Sequence, residues 1–129
     1  MSGITIGSKI RCIGNSGART IRIFGFKGRG GGVRKRRLTG GPGDIFVGSV
    51  VTGAFRLKKI VQYGVITGQK MPLWRADCGY IRGQSNTGVL FKAKDSKQLL
   101  ATKFKGIVFR EVFQKIPELK SAFTGAKSR

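Results

Sequence analysis

Ile4 and Ile6, then Ile10 and Cys12, alternate with polar residues, the period-two pattern of a strand with one buried face. The spacing predicts a first strand over residues 9 to 13. The composition of Gly14-Asn15-Ser16-Gly17 makes a turn, since Gly and Asn accept left-handed angles. Residues 20 to 26 (TIRIFGF) resume as β-branched and aromatic positions and complete a hairpin. Residues 44 to 52 (DIFVGSVVT) are the strongest strand pattern in the chain, and Gly48 in its middle marks a bulge or a barrel corner. A cationic segment at 55 to 59 leads to a further strand at 60 to 67 (IVQYGVIT). Four strands with short polar connections indicate a closed or nearly closed β-barrel.

Residues 68 to 77 read as a second loop, holding Lys70, Trp74 and Arg75. Trp74 admits two readings, a base-stacking ring or a cap on the core. Residues 80 to 82 and 87 to 91 read as a last short pair of strands around Gly83-Gln84-Ser85-Asn86. Beyond Lys92 the pattern changes. Leu99, Leu100, Phe104, Ile107 and Val108 fall near helical spacing, and Val112, Phe113, Ile116, Leu119 and Phe123 do so more clearly. Pro117 begins or interrupts that last helix, and residues 126 to 129 read as a frayed basic tail.

One stretch fits no apolar period. From Lys27 to Gly43 (KGRGGGVRKRRLTGGPG) the chain carries Lys27, Arg29, Arg34, Lys35, Arg36 and Arg37 among glycines, with no acid. A long structureless loop in a small domain is functional or disordered. Glycine has no Cβ and lets backbone approach a ligand closely, so the interleaved glycines favour ordered phosphate contact over a solvated charge run. The rest of the chain agrees: 26 Lys and Arg stand against 5 acids in 129 residues, a formal charge of +21. Ten cations precede the first acid, Asp44. Cations spread this widely suit immersion in RNA better than one recognition helix on DNA, and the expected partner is nucleic acid. At 40% hydrophobic content the chain still has a core to fold around, enough for one domain.

Other chemistry is poorly supplied. There is no His, the carboxylates are scattered, and Cys12 and Cys78 lack the paired spacing of a zinc site; no metal, cofactor or catalytic residue is expected. Gly28-Arg29-Gly30 begins like a dinucleotide fingerprint, but position 33 is Val. Gly14 to Ala18 misses the nucleophile elbow because its fifth residue is Ala18. No run of 18 apolar residues and no basic amphipathic helix point to a membrane, and the first residues lack the apolar region of a secretory signal.

Several blocks, in order, resemble one family. Asn15-Ser16-Gly17-Ala18-Arg19, Gly43-Asp44-Ile45, Arg75-Ala76-Asp77 leading to Tyr80-Ile81-Arg82, Asn86-Thr87-Gly88-Val89-Leu90, and the stretch ATKFKGIVFREV from 101 to 112 look like the universal ribosomal protein fourteen of the large subunit. The resemblance implies a mainly β fold: a small five-stranded barrel over residues 1 to 112 with a projecting hairpin or basic loop, then short C-terminal helices within the same domain. It implies a non-catalytic structural role in the large subunit, with rRNA, neighbouring ribosomal proteins and, at an intersubunit bridge, small-subunit rRNA as partners. On that footing the rRNA-binding candidates are Arg19, Arg22, Lys58, Lys59, Arg75 and Arg82 with the six loop cations. Thr102 and Lys103 match the family's closing motif and are candidates for the bridge, a surface where bacterial and organellar members also dock a ribosome-silencing factor. Gly14 stands where the family has Asp, Ala101 where it has Gly, and Lys103 where it has Arg, which keeps charge but loses a bidentate fork. The blocks look bacterial or organellar, and drift with added charge suggests a mitochondrial ribosome. A free RNA-binding or RNA-chaperone barrel is the alternative.

Overall fold

Alternation along the strands decides where the core lies. Ile10, Ile21, Ile23, Phe46, Val50, Ile66 and Leu90 are all buried and form one apolar cluster, while Lys9, Arg11 and Arg22 beside them are exposed. The computed structural model describes residues 3–27, 39–58, 60–76, 79–92, 98–120 and 127–128. In it a two-residue strand, β1 (Ile4–Thr5), precedes β2 (Lys9–Cys12) and β3 (Ala18–Phe26). Then come β4 (Thr39–Gly40), β5 (Ile45–Gly53), a 3-10 turn at Phe55–Leu57, and β6 (Val61–Gly68). Strands β2, β3, β5, β6 and β9 (Thr87–Leu90) close into a five-stranded barrel. Closure comes from β9, which runs antiparallel to β6 and parallel to β2, setting Arg11 opposite Thr87 and Cys12 opposite Gly88.

Glycines set the barrel's tightness. A Cβ on Gly48 would strike the Arg22 carbonyl, and one on Gly64 would strike the Val89 carbonyl and lie 2.6 Å from the Phe46 ring. Opposite Gly48 the register of β3 shifts between Ile23 and Gly25, so the irregularity expected at Gly48 is there, with the extra residue on the partner strand.

Four expectations are corrected. Residues 80–82 and 87–91 do not pair with each other: β8 (Tyr80–Ile81) pairs with β7 (Leu73–Trp74) as a small separate hairpin, and β9 enters the barrel. The backbone donors at the root of that hairpin are used elsewhere, Gly83 N–H on the Gln69 carbonyl at 2.8 Å and Lys70 N–H on Asn86 Oδ1 at 2.9 Å. Trp74 does not cap the core, being 67% exposed.

Residues 99 to 108 are not helical. Leu100 N–H donates to the Leu90 carbonyl, Phe109 N–H to Thr67, and Phe91 bridges to Leu99; Gly106 has a φ of +107°. These outside partners take the bonds a helix needs, and Leu99, Phe104 and Val108 cover the barrel wall from extended backbone. With Val112, Ile116 and Leu119 they bury Val65 and Val89 from outside, which is why β6 is buried on both faces near its end. A short strand, β10 (Ile107–Val108), precedes the helix α1 (Arg110–Lys115), and Pro117 opens a 3-10 turn over Pro117–Lys120. The expected fraying is absent at β11 (Lys127–Ser128), which pairs in parallel with β10.

Candidate nucleic-acid interface

The Asn-Ser-Gly-Ala turn builds the first part of the site. Gly14 and Gly17 take φ of +122° and +96°, angles that only glycine adopts without strain. The turn throws Asn15 toward the closing segment. Asn15 Oδ1 accepts from the Thr102 N–H at 2.9 Å and the Lys103 N–H at 3.3 Å, and its Nδ2 donates to Thr102 Oγ1 at 3.2 Å. Its own N–H donates to the Lys103 carbonyl at 3.2 Å. One side chain thus clamps a loop 87 residues away, leaving Thr102 and Lys103 exposed. The departures at 14 and 101 are physically coupled: a Cβ at position 14 would lie 2.9 Å from the Ala101 Cβ.

Beside the clamp lies a cleft of about 1030 Å³, floored by the end of β2 and by Phe109, with walls from residues 81 to 85 and 103 to 107. Arg11, Arg82, Lys103 and Lys105 line it, and among the described residues no carboxylate does. All four are exposed. Burial pushes the Cys12 thiol up from its ordinary value, only partly opposed by the Ser16 hydroxyl, which disfavours the thiolate that a nucleophile or a metal ligand needs. Among the described residues no group of three His, Cys, Asp or Glu could hold a metal ion.

The cationic surface continues along β2. Lys9 stands directly opposite Arg22 on β3, both exposed, a like-charge pair that costs stability unless an anion lies across it. Lys9 and Arg11 project from the same face, about 7 Å apart along the strand.

Of the expected rRNA contacts, Arg19, Arg22, Lys27, Lys58 and Arg82 are exposed, and Arg82 lines the same cleft as the bridge candidate Lys103. Arg75 is placed differently. Its Nε donates to Glu111 Oε1 at 2.7 Å and its guanidinium also reaches Oε2 at 3.2 Å, with both side chains about one-fifth exposed; in this structure it holds a carboxylate of its own chain. Arg29, Arg34, Lys35, Arg36, Arg37 and Lys59 lie outside the described residues. Sequence reasoning missed Lys9, Arg11, Asn15 and Lys105. The first two were legible, since they alternate with buried Ile10. Lys105 was hidden by the helical misreading, and Asn15 by being read only as a turn former.

The model of the family described as ribosomal protein L14p/L23e matches residues 3–123. The chain belongs to that family. The proteins named large ribosomal subunit protein uL14 in Picrophilus torridus and Thermoplasma acidophilum are each 32% identical over 117 residues, 91% of this chain and 86% of theirs. That of Haloarcula marismortui is 30% identical over 122 residues, 95% of this chain and 90% of its own. As a member of the L14p/L23e family the chain is a ribosomal structural protein, not an enzyme. These three relatives are archaeal, and they lend the bacterial or mitochondrial reading no support.

Proposed function

We propose that this protein is a structural constituent of the large ribosomal subunit that fixes rRNA by phosphate contacts, through the loop from Lys27 to Arg37 and the cations of the barrel surface. Its main support is the convergence of Arg11, Arg82, Lys103 and Lys105 on one cleft with no carboxylate in its described lining. Phosphate contacts of this kind set position without reading sequence. The barrel supplies a rigid platform, and the Asn15 clamp presents Thr102 and Lys103 as a fixed edge. That edge suits an intersubunit bridge to small-subunit rRNA, and equally a docking ribosome-silencing factor. Neighbouring ribosomal proteins would cover part of the remaining surface. The added charge suits an organellar ribosome, whereas the relatives above are archaeal; fractionation beside a mitochondrial marker decides the compartment.

The test is the salt dependence of binding to an rRNA fragment. Replacing the four cleft cations by Ala should make the log–log slope shallower by roughly 3, at about 0.7 to 0.9 per phosphate contact. An unchanged slope contradicts the cleft's role.

A further inference from the structure

The hairpin of β7 and β8 carries the chain's single Trp and one of its two Tyr side by side at its exposed face. Trp74 and Tyr80 are cross-strand partners, 67% and 58% exposed, with ring centroids 5.1 Å apart and planes tilted by 49°. A Trp is ordinarily among the most buried residues on average, and a small hairpin left free would be expected to fold it down. Here the hairpin is held. Arg75, next to Trp74, is tied to Glu111 of α1 by two charge-assisted bonds, and its N–H donates to the Gly79 carbonyl at 2.9 Å. At the root, Gly83 N–H meets the Gln69 carbonyl. Because adjacent strand residues face opposite ways, Ile81 lines the cleft while Trp74 and Tyr80 face away from it.

From this geometry we propose that Trp74 and Tyr80 form a stacking platform for an unpaired RNA base. The charge around the pair selects that occupant: exposed Lys70 and Arg82 flank the hairpin root, segment 69 to 83 carries these two cations besides the Glu111-paired Arg75 against the single acid Asp77, and the whole chain is at +21. The base sits on the outside of the pair. Insertion between the rings needs about 7 Å, twice the ~3.4 Å base rise, and the rings are 5.1 Å apart. The platform rests on the RNA-binding function proposed above and adds to it a contact with a base face, which phosphate pinning alone does not supply.

Trp74 is the only Trp, so its fluorescence reports the contact directly. The full chain is titrated at low salt with short single-stranded oligoadenylate and, separately, with inorganic polyphosphate, which has the charge but no bases. Both should bind, and only oligoadenylate should quench the Trp emission. Tyr80→Ala, which keeps the fluorophore, should reduce that quenching. Trp74→Ala should weaken labelled oligoadenylate roughly five-fold or more and leave polyphosphate unchanged, while Trp74→Phe, which keeps an aromatic face, should retain most of the affinity. Oligoadenylate that binds without quenching, or equal quenching by polyphosphate, overturns the platform and points to a protein-docking patch. Failure to bind either polyanion overturns the RNA-binding function itself.

Discussion

Asn15 converts a turn into a connection between distant parts of the chain, because its amide both accepts and donates across to residues 102 and 103. Asn15→Ala removes three bonds and should cost about 1–2 kcal/mol in urea unfolding, with faster amide exchange confined to Thr102 and Lys103. Asn15→Asp keeps the oxygen that accepts the two N–H groups and should cost less. Gly14 is constrained twice, by its φ of +122° and by the Ala101 methyl. Gly14→Ala should therefore cost about 2–3 kcal/mol, and adding Ala101→Gly should return part of it, since the two sites touch. Equal losses with and without Ala101→Gly would show that backbone strain and the Phe104 ring, 3.0 Å from a Cβ at position 14, restrict it without the Ala101 methyl. The raised thiol of Cys12 sets a pH effect: the native state keeps its proton longer than the unfolded chain does. Stability should fall as pH rises from the ordinary thiol range through the folded value, and in a Cys78→Ser chain Cys12→Ser should flatten that fall.

At the scale of elements, the Arg75–Glu111 pair ties the aromatic hairpin to α1. Arg75→Ala should cost about 2 kcal/mol, since it leaves a mostly buried carboxylate without its charged donor. The double variant Arg75→Ala with Glu111→Ala should lose less than the sum of the single losses. Gly64→Ala should cost about 2–3 kcal/mol, because the new methyl meets the Val89 carbonyl and the Phe46 ring. Strands β2, β3 and β5 were legible because each keeps one face in the core, and a period of two survives that arrangement. Two features were not legible for the same reason: they depend on partners far along the chain. Residues 87–90 pair with 64–68 and 11–12, and nothing local distinguishes that from pairing with 80–82. Leu99, Phe104 and Val108 cover a curved barrel wall at intervals close to those of a helix face, so spacing alone could not separate an extended cover from a helix. The exposure of Trp74 was hidden as well, since its neighbour Arg75 pairs with Glu111, 36 residues away, and no local pattern shows that tie.

For the whole molecule, a charge of +21 on 129 residues works against the isolated barrel and toward a polyanion that neutralises it. Thermal stability of the free protein should rise with salt, which screens the repulsion, while RNA affinity falls. If each of the six cations from Lys27 to Arg37 meets one phosphate, they alone contribute a log–log salt slope of about −4 to −5, and Arg34→Ala, Lys35→Ala, Arg36→Ala and Arg37→Ala combined should remove most of it. The decisive measurement is sedimentation of the C-terminally tagged protein through sucrose gradients at low and high magnesium, after a high-salt wash. The account predicts comigration with large subunits in both gradients, resistant to the wash. Protein left in the light fractions, or stripped by salt, would contradict it and leave a free RNA-binding barrel in its place.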